Sequence, residues 1–369
     1  MNEVECRVSG NFYGWAVLLI AIVFFTFGCG GDDGAADESD GDDDSSDDSE
    51  SDVESTDDSG GDSMNDDSEK EDSDASDSDT NDADSGAPLC EDDQRVGRFI
   101  LFAKAADTGR YTSLNGSVSD SVSPTAVPEI LKEEGDCALI GPRKLFCDTT
   151  CESGETCGLE GTCVPSPVKK SVGTVTVTGL DQELSVEPKP IIVSYSEKID
   201  DPFPAFEEGA TVEVSAAGDE IDGFSLSAKG VSLITADGMS EVVIESGASV
   251  PLSWDASGDS TGDEYVHVEL VVNTHGATAG WIECNVADTG SAEIPESLIT
   301  ALMELGLSGF PSLVIQRLST DSTTVDEGCV DLKVYSEAEI TVTIPGLQSC
   351  NSDDDCDDGE TCQPDLQCG

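Results

Sequence analysis

Positive charge is what this chain has least of. Only 16 of its 369 residues are Lys or Arg, against 79 Asp or Glu, and the formal net charge is −63. A nucleic-acid binder is excluded, because such a protein needs cations to displace counterions from phosphates. A polybasic grip on anionic lipid headgroups is excluded for the same reason. Aromatic residues are also sparse, at 5%, while glycine numbers 37. That combination disfavours a large helical enzyme and suits a turn-rich β protein. Histidine occurs twice, at His267 and His275, too few to help the 14 cysteines hold zinc. A G-x-S-x-G string occurs once, at Gly258-Asp259-Ser260-Thr261-Gly262, but it lies in a Gly/Ser/Asp loop followed by an alternating run rather than by a helix, and no phosphate-binding glycine loop is present.

What is there begins at the N-terminus. Residues 12–27 form an apolar run of 16, shorter than the roughly 20 residues a membrane crossing needs and suited to the core of a secretory signal. The run ends in Thr26-Phe27-Gly28-Cys29-Gly30, which resembles a bacterial lipobox. That resemblance implies cleavage before Cys29, lipids on Cys29, and, with glycine rather than Asp following, transfer to the outer membrane. An uncleaved N-terminal anchor is the alternative; both readings tether the body outside the cytoplasm. Residues 30–88 then carry 26 acidic side chains, one Lys (Lys70), 13 Ser and no aromatic residue, a charge of −25. Such a segment buries too little apolar area to offset chain entropy and is expected to be a disordered, self-repelling spacer. Weak calcium capture by its carboxylates is the sharper alternative. The remaining −37 falls on residues 90–369.

With Cys6 removed and Cys29 lipidated, twelve cysteines remain: Cys90, Cys137, Cys147, Cys151, Cys157, Cys163, Cys284, Cys329, Cys350, Cys356, Cys362 and Cys368. An even number in a secreted chain reads as six disulfides. Eight of them fall in two copies of C-x-x-G-E-T-C-x₅-C, at Cys151-Cys157-Cys163 and Cys356-Cys362-Cys368, each preceded by a fourth Cys at Cys147 or Cys350. The x₅ spacings are too long for a zinc knuckle. Fragments this small cannot build a core, so crosslinks replace it. Four cysteines allow three connectivities; alternate pairing, first with third and second with fourth, is the expectation. Cys284 and Cys329 are expected to join two strands of the body. The modules resemble Cys repeats of myxobacterial surface proteins.

The body alternates. Thr174-Val175-Thr176-Val177-Thr178, Val212-Glu213-Val214, Phe224-Ser225-Leu226 and Val266-His267-Val268-Glu269-Leu270 put apolar side chains on one face. Further runs lie at 98–103, 191–195, 242–244, 313–318, 330–335 and 340–344, and Asn115-Gly116 signals a turn. Pro295-Glu296 opens one helix, with Leu298, Leu302 and Leu305 on a shared face and Gly306 closing it. The expected fold is all-β: an Ig-like antiparallel β-sandwich with one short helix, flanked by the disulfide modules and the acidic tether. The expected division is a signal over 1–29, a tether over 30–89, a small β region with the first module over 90–170, the sandwich over 171–347 and the second module over 348–369. Trp254 and Trp281 are expected in the core, and His267, opposite the valines, in solvent. The order Gly173-x-Val175-x-Val177-x-Gly179, Pro251-Leu252-x-Trp254, Cys284-x-Val286-x-Asp288-Thr289-Gly290 and Cys329-Val330 resembles uncharacterised extracellular lipoproteins of deltaproteobacteria, which implies no chemistry.

Two readings compete with a plain binding or structural role. Asp107-Thr108-Gly109 and Asp288-Thr289-Gly290 resemble the paired triplets of aspartic proteases, whose carboxylates share one proton. Asp107, however, follows Lys104-Ala105-Ala106 rather than an apolar strand, and the Cys147–Cys163 module interrupts the first lobe. Asp255, Asp259, Asp263 and Glu264 share one Gly/Ser loop, suited to turn chemistry or to a calcium-dependent adhesion or carbohydrate-binding module. The function expected is a lipid-anchored envelope protein presenting a disulfide-stabilised surface for binding, without catalysis, cofactor or bound metal. Its partners are the membrane and cationic or calcium ligands.

Overall fold

Strand formation follows the alternation closely. A computed structural model describes residues 90–106, 109–236, 238–257, 264–272, 278–307, 309–357 and 359–369, all within the unit Asp82–Gly369. Cys29, the apolar run, the acidic spacer, Asp107, Asp259, Asp263 and His275 lie outside the described residues. The first third holds β1 (Arg95–Ala106), β2 (Gly109–Ser119), β3 (Glu129–Glu134), β4 (Cys137–Gly141), β5 (Glu155–Cys157), β6 (Cys163–Pro165) and β7 (Lys169–Lys170). The middle holds β8 (Val175–Thr178), β9 (Leu184–Val186), β10 (Tyr195–Ile199), β11 (Thr211–Ala216), β12 (Phe224–Lys229), β13 (Glu241–Val243) and β14 (Val250–Ser253). Then come β15 (Glu264–Val271), β16 (Trp281–Ala287), β17 (Ser291–Ile294), helix α1 (Glu296–Glu304), β18 (Ser312–Val325) and β19 (Gly328–Thr343).

The fold is all-β, built on one large sheet in the order β10-β2-β1-β19-β18-β15-β16-β4-β3, with β13 beside β19 and β7 beside β2. It is mixed rather than purely antiparallel, since β1 and β13 both run parallel to β19. Two layers cover one face. A four-stranded sheet, β12-β11-β8-β9, packs Val175, Val177, Val214 and Leu226 against Phe99, Leu101, Leu332 and Val334. Beside it, the β14–β17 ribbon and α1 pack Leu252, Trp254, Ile294 and Leu298 against Val268, Leu270, Ile282 and Ile315. Fully burying each such aliphatic side chain contributes about 1.5–3 kcal/mol, so this face carries most of the fold's driving force.

Several sequence expectations change. The boundary expected between 170 and 171 does not divide the sheet, because β1 and β2 lie between β10 and β19. Asn115-Gly116 is mid-strand in β2, not a turn: Gly116 faces Phe99, and a Cβ there would lie 2.2 Å from the ring. The runs at 330–335 and 340–344 belong to one 16-residue strand. The run at 191–195 is not a strand; Ile191 has φ 76° and is exposed, and the strand begins at Tyr195. Leu305 caps α1 rather than joining its buried face, which is Leu298, Ile299 and Leu302.

All twelve cysteines close into six bridges. The modules pair alternately, Cys147–Cys157 with Cys151–Cys163, and Cys350–Cys362 with Cys356–Cys368. Cys284 and Cys329 do not both bond within the body as delimited from the sequence. Cys284 pairs with Cys137 across the β4–β16 ladder, and Cys329 pairs with Cys90, fastening the segment before β1. Both partners come from the region read as separate, because the sheet that unites the two regions brings them into register.

Candidate functional site

The second face of the large sheet has a different chemistry. Because side chains alternate, the strands that bury Phe99, Leu332, Val268 and Ile282 on one side present Arg98, Lys333, His267, Glu269, Trp281 and Glu283 on the other. Over this face lies a cavity of 780 Å³ whose rim includes Cys90 to Asp92, Thr125 to Pro128 and Pro142. Its size lies within the range of small-molecule sites. Tyr265, Trp281 and Tyr335 supply aromatic wall, and Tyr335 is stacked on Phe102 with centroids 5.4 Å apart.

At the Cys90 end, Asp331 is fully buried and organises the cations. Its Oδ2 accepts from Arg95 Nε at 2.6 Å and from Arg98 at 3.1 Å, while Oδ1 accepts from the Cys90 backbone N–H at 2.9 Å. Buried charge is tolerable when paired and hydrogen-bonded in this way. The arrangement leaves donors over. Arg98 Nε is buried with no hydrogen-bond partner, and the Lys333 ammonium makes no side-chain hydrogen bond or contact ion pair among the described residues. Burial, with Arg98 beside it, pulls the Lys333 ammonium down to about 8.

The opposite end is acidic. Glu269 and Glu283 are direct cross-strand partners on β15 and β16, and His267 faces Asn285 two pairs along, on the same face. A ring nitrogen of His267 and one carboxylate oxygen from each Glu lie within 4.8 Å of one another. His267 Nδ1 is 2.8 Å from Asn285 Oδ1, and with the amide in this orientation Nδ1 is the donor. Trp281 Nε1 donates to Glu283 at 2.5 Å. Burial, and then the Glu283 charge, pushes the Glu269 carboxyl up. Burial pushes the His267 imidazole down, against the pull of Glu283 and Asn285. The phenol of Tyr265 is pushed up to about 12, again by burial.

The sequence-derived candidates fall in different places. His267 lies opposite the valines as expected, but it is half-buried in the cavity rather than free in solvent. Trp254 is core; Trp281 lines the cavity. Asp288 is wholly engaged elsewhere, on the covered face. It accepts from Trp254 Nε1 at 2.7 Å, Arg317 Nε at 2.7 Å and Ser257 N at 3.1 Å. Arg317 is itself buried and also donates to Ser232, to Leu233 O and to Asp255 O. Burial pushes the Asp288 carboxyl up, but the Arg317 and Trp254 hydrogen bonds and the guanidinium charge outweigh it and hold it below the usual range. Both oxygens of the Asp288 carboxylate are thus held, by Arg317, Trp254 and Ser257, and the other triplet carboxylate, Asp107, lies outside the described residues. Asp255 is likewise occupied, accepting from Thr235 N and Thr235 Oγ1, and Glu264 is buried close to Arg317. Glu269 and Glu283 were not singled out from sequence. Their signal was the two-residue step from His267 and the alternation in β16, which became a site only once the register was known.

Among the described residues no helix is long and apolar enough to cross a membrane. The chain matches no protein-family model and no curated protein.

Proposed function

We propose that this chain is a lipid-anchored protein of the cell envelope whose disulfide-stapled β body binds a small polar ligand in the cavity on the open face of its large sheet. Cys29 carries the lipid, residues 30–89 act as a charged spacer, and the body is a binding module rather than an enzyme. The family the sequence resembles, the extracellular lipoproteins of deltaproteobacteria, belongs to the same reading. The observation that carries it is the buried, unpartnered donor Arg98 Nε, with Lys333 beside it among the lining residues, on a 780 Å³ concavity in a chain with little positive charge. Buried donors without partners cost about 1–3 kcal/mol each, more when charged, so a fold that keeps them is expected to spend them on a ligand.

The test uses the full chain solubilised from the envelope that makes it. Intact mass is expected to show lipid on the mature N-terminus at Cys29 and to show Cys29→Ser losing both lipid and membrane association. Native mass spectrometry is expected to find a copurifying small molecule that Lys333→Met and Tyr335→Ala shed. An unlipidated wild-type chain contradicts the anchoring. A ligand retained equally by both cavity variants contradicts the site.

A further inference from the structure

We infer that His267, Glu269 and Glu283 form a binding site for one divalent transition-metal ion on the wall of this cavity, with zinc the expected ion. The inference concerns the same cavity as the binding function proposed above, but it stands on a separate set of side chains and does not need the lipid anchor.

The geometry comes from the ladder. His267 and Glu269 are two residues apart on β15 and so share a face, while Glu283 sits directly across from Glu269 on β16. Three donor atoms within 4.8 Å of one another are close to the spacing of about 3.5 Å that bonds of 2.0–2.2 Å at tetrahedral angles require. Small side-chain rotations close the difference.

Three features point to a cation rather than to a solvated charge pair. Like charges placed directly opposite on neighbouring strands destabilise a sheet, and here two carboxylates are so placed on a half-buried face. The Lys333 ammonium attracts both carboxylates but closes no contact ion pair with either. In addition, two donors are already oriented from outside the set. Asn285 holds the imidazole through Nδ1, and the Trp281 indole holds one oxygen of Glu283. A neutral imidazole fixed through its other nitrogen is the usual preparation of a metal-ligating histidine.

The donor set selects the ion. One imidazole and two carboxylates fall short of the six to eight oxygens that calcium takes, and imidazole nitrogen suits zinc and its neighbours. Three protein ligands leave a coordination position open towards the cavity, where Lys333 and Arg98 stand among the lining residues.

The test is zinc titration of the metal-stripped full chain in competition with a chromophoric chelator, alongside the visible spectrum of the cobalt-substituted protein. The wild type is expected to bind one zinc far more tightly than the diffuse carboxylates of residues 30–88. Glu269→Gln and His267→Ala are each expected to weaken it by about 100-fold or more, and Asn285→Ala by about 10–100-fold. Cobalt is expected to give the intense visible bands of a four- or five-coordinate site. That spectrum needs no variant to fold, and melting of the metal-free variants separates ligand loss from unfolding. Zinc bound equally by wild type and Glu269→Gln places the metal on the acidic segment and overturns the inference. So does a wild-type chain with no tight site, or a cobalt spectrum of hexaaquo type. None of these outcomes removes the copurifying ligand that tests the binding function.

Discussion

The large sheet carries ionic groups on both of its faces, and the two sets differ in one respect. On the covered face, Arg317 and Asp288 are buried between the two overlying layers, and every acceptor of the carboxylate is met by Arg317, Trp254 or Ser257. On the open face, Arg98 Nε is buried without a partner and Lys333 and Glu269 make no contact ion pair; on the covered face the exception is Glu264, whose Oε2 is also buried without a hydrogen bond. The same strands make both: Arg317 is on β18 and Lys333 on β19, and in β15 Val268 points one way and Glu269 the other. A satisfied buried ion pair is a structural joint, and an unsatisfied one is a cost that a fold carries for something not in the chain.

Breaking the joint is expected to have the largest effect. Asp288→Asn leaves Arg317 buried without its counter-charge and is expected to lose about 3–5 kcal/mol of stability, read from urea midpoints. The next effect is expected from the staples that hold the cavity rim and the sheet edge. Removing Cys137–Cys284 or Cys90–Cys329, whose partners are 147 and 239 residues apart in sequence, is expected to cost about 2–5 kcal/mol. Removing Cys356–Cys368 should leave the melting of the sheet unchanged. Gly116→Ala, which drives a methyl into the Phe99 ring on the covered face, is expected to cost about 1–3 kcal/mol.

The pH dependence sharpens the same contrast. Asp288 titrates below the usual carboxylate range in the folded chain, so the unfolded state binds the proton more readily. Its contribution to stability is therefore fully present above the unfolded value of about 3.9 and is lost as pH falls through the folded value. Asp288→Asn should flatten the acid limb of the stability profile. A variant profile parallel to wild type below pH 4 would mean that other carboxylates carry that limb.

Much of the fold was readable from the sequence because one-sided alternation is a local property. Val175 and Val177, Val212 and Val214, and Val266 to Leu270 each mark a strand and its buried face without reference to any partner. What sequence does not carry is pairing across distance. The parallel contact of β1 with β19 joins Arg98 to Asp331, and nothing near either residue announces it. The same gap explains the misread turn at Gly116, whose reason is the Phe99 ring on the neighbouring strand. It also explains the cavity: His267, Glu269 and Glu283 occupy positions that alternation assigns to solvent, and the segments at 90–92, 125–128 and 142 turn that surface into a concavity. The disulfide modules were legible as a local repeat, with partners 10 or 12 residues apart, while their alternate pairing was one of three open connectivities.

The central claim is that the open face holds its charge for a ligand and the covered face holds its charge for the fold. Its most direct measurement is the stability of Glu269→Gln and Lys333→Met beside Asp288→Asn in one urea series, with metal and ligand removed. The two open-face variants are expected to remain within about 0.5 kcal/mol of wild type or exceed it, since burial opposes each charge more than its neighbours favour it and neither is held by a contact ion pair. A loss in either variant as large as that of Asp288→Asn would contradict it, because those groups would then be structural as well.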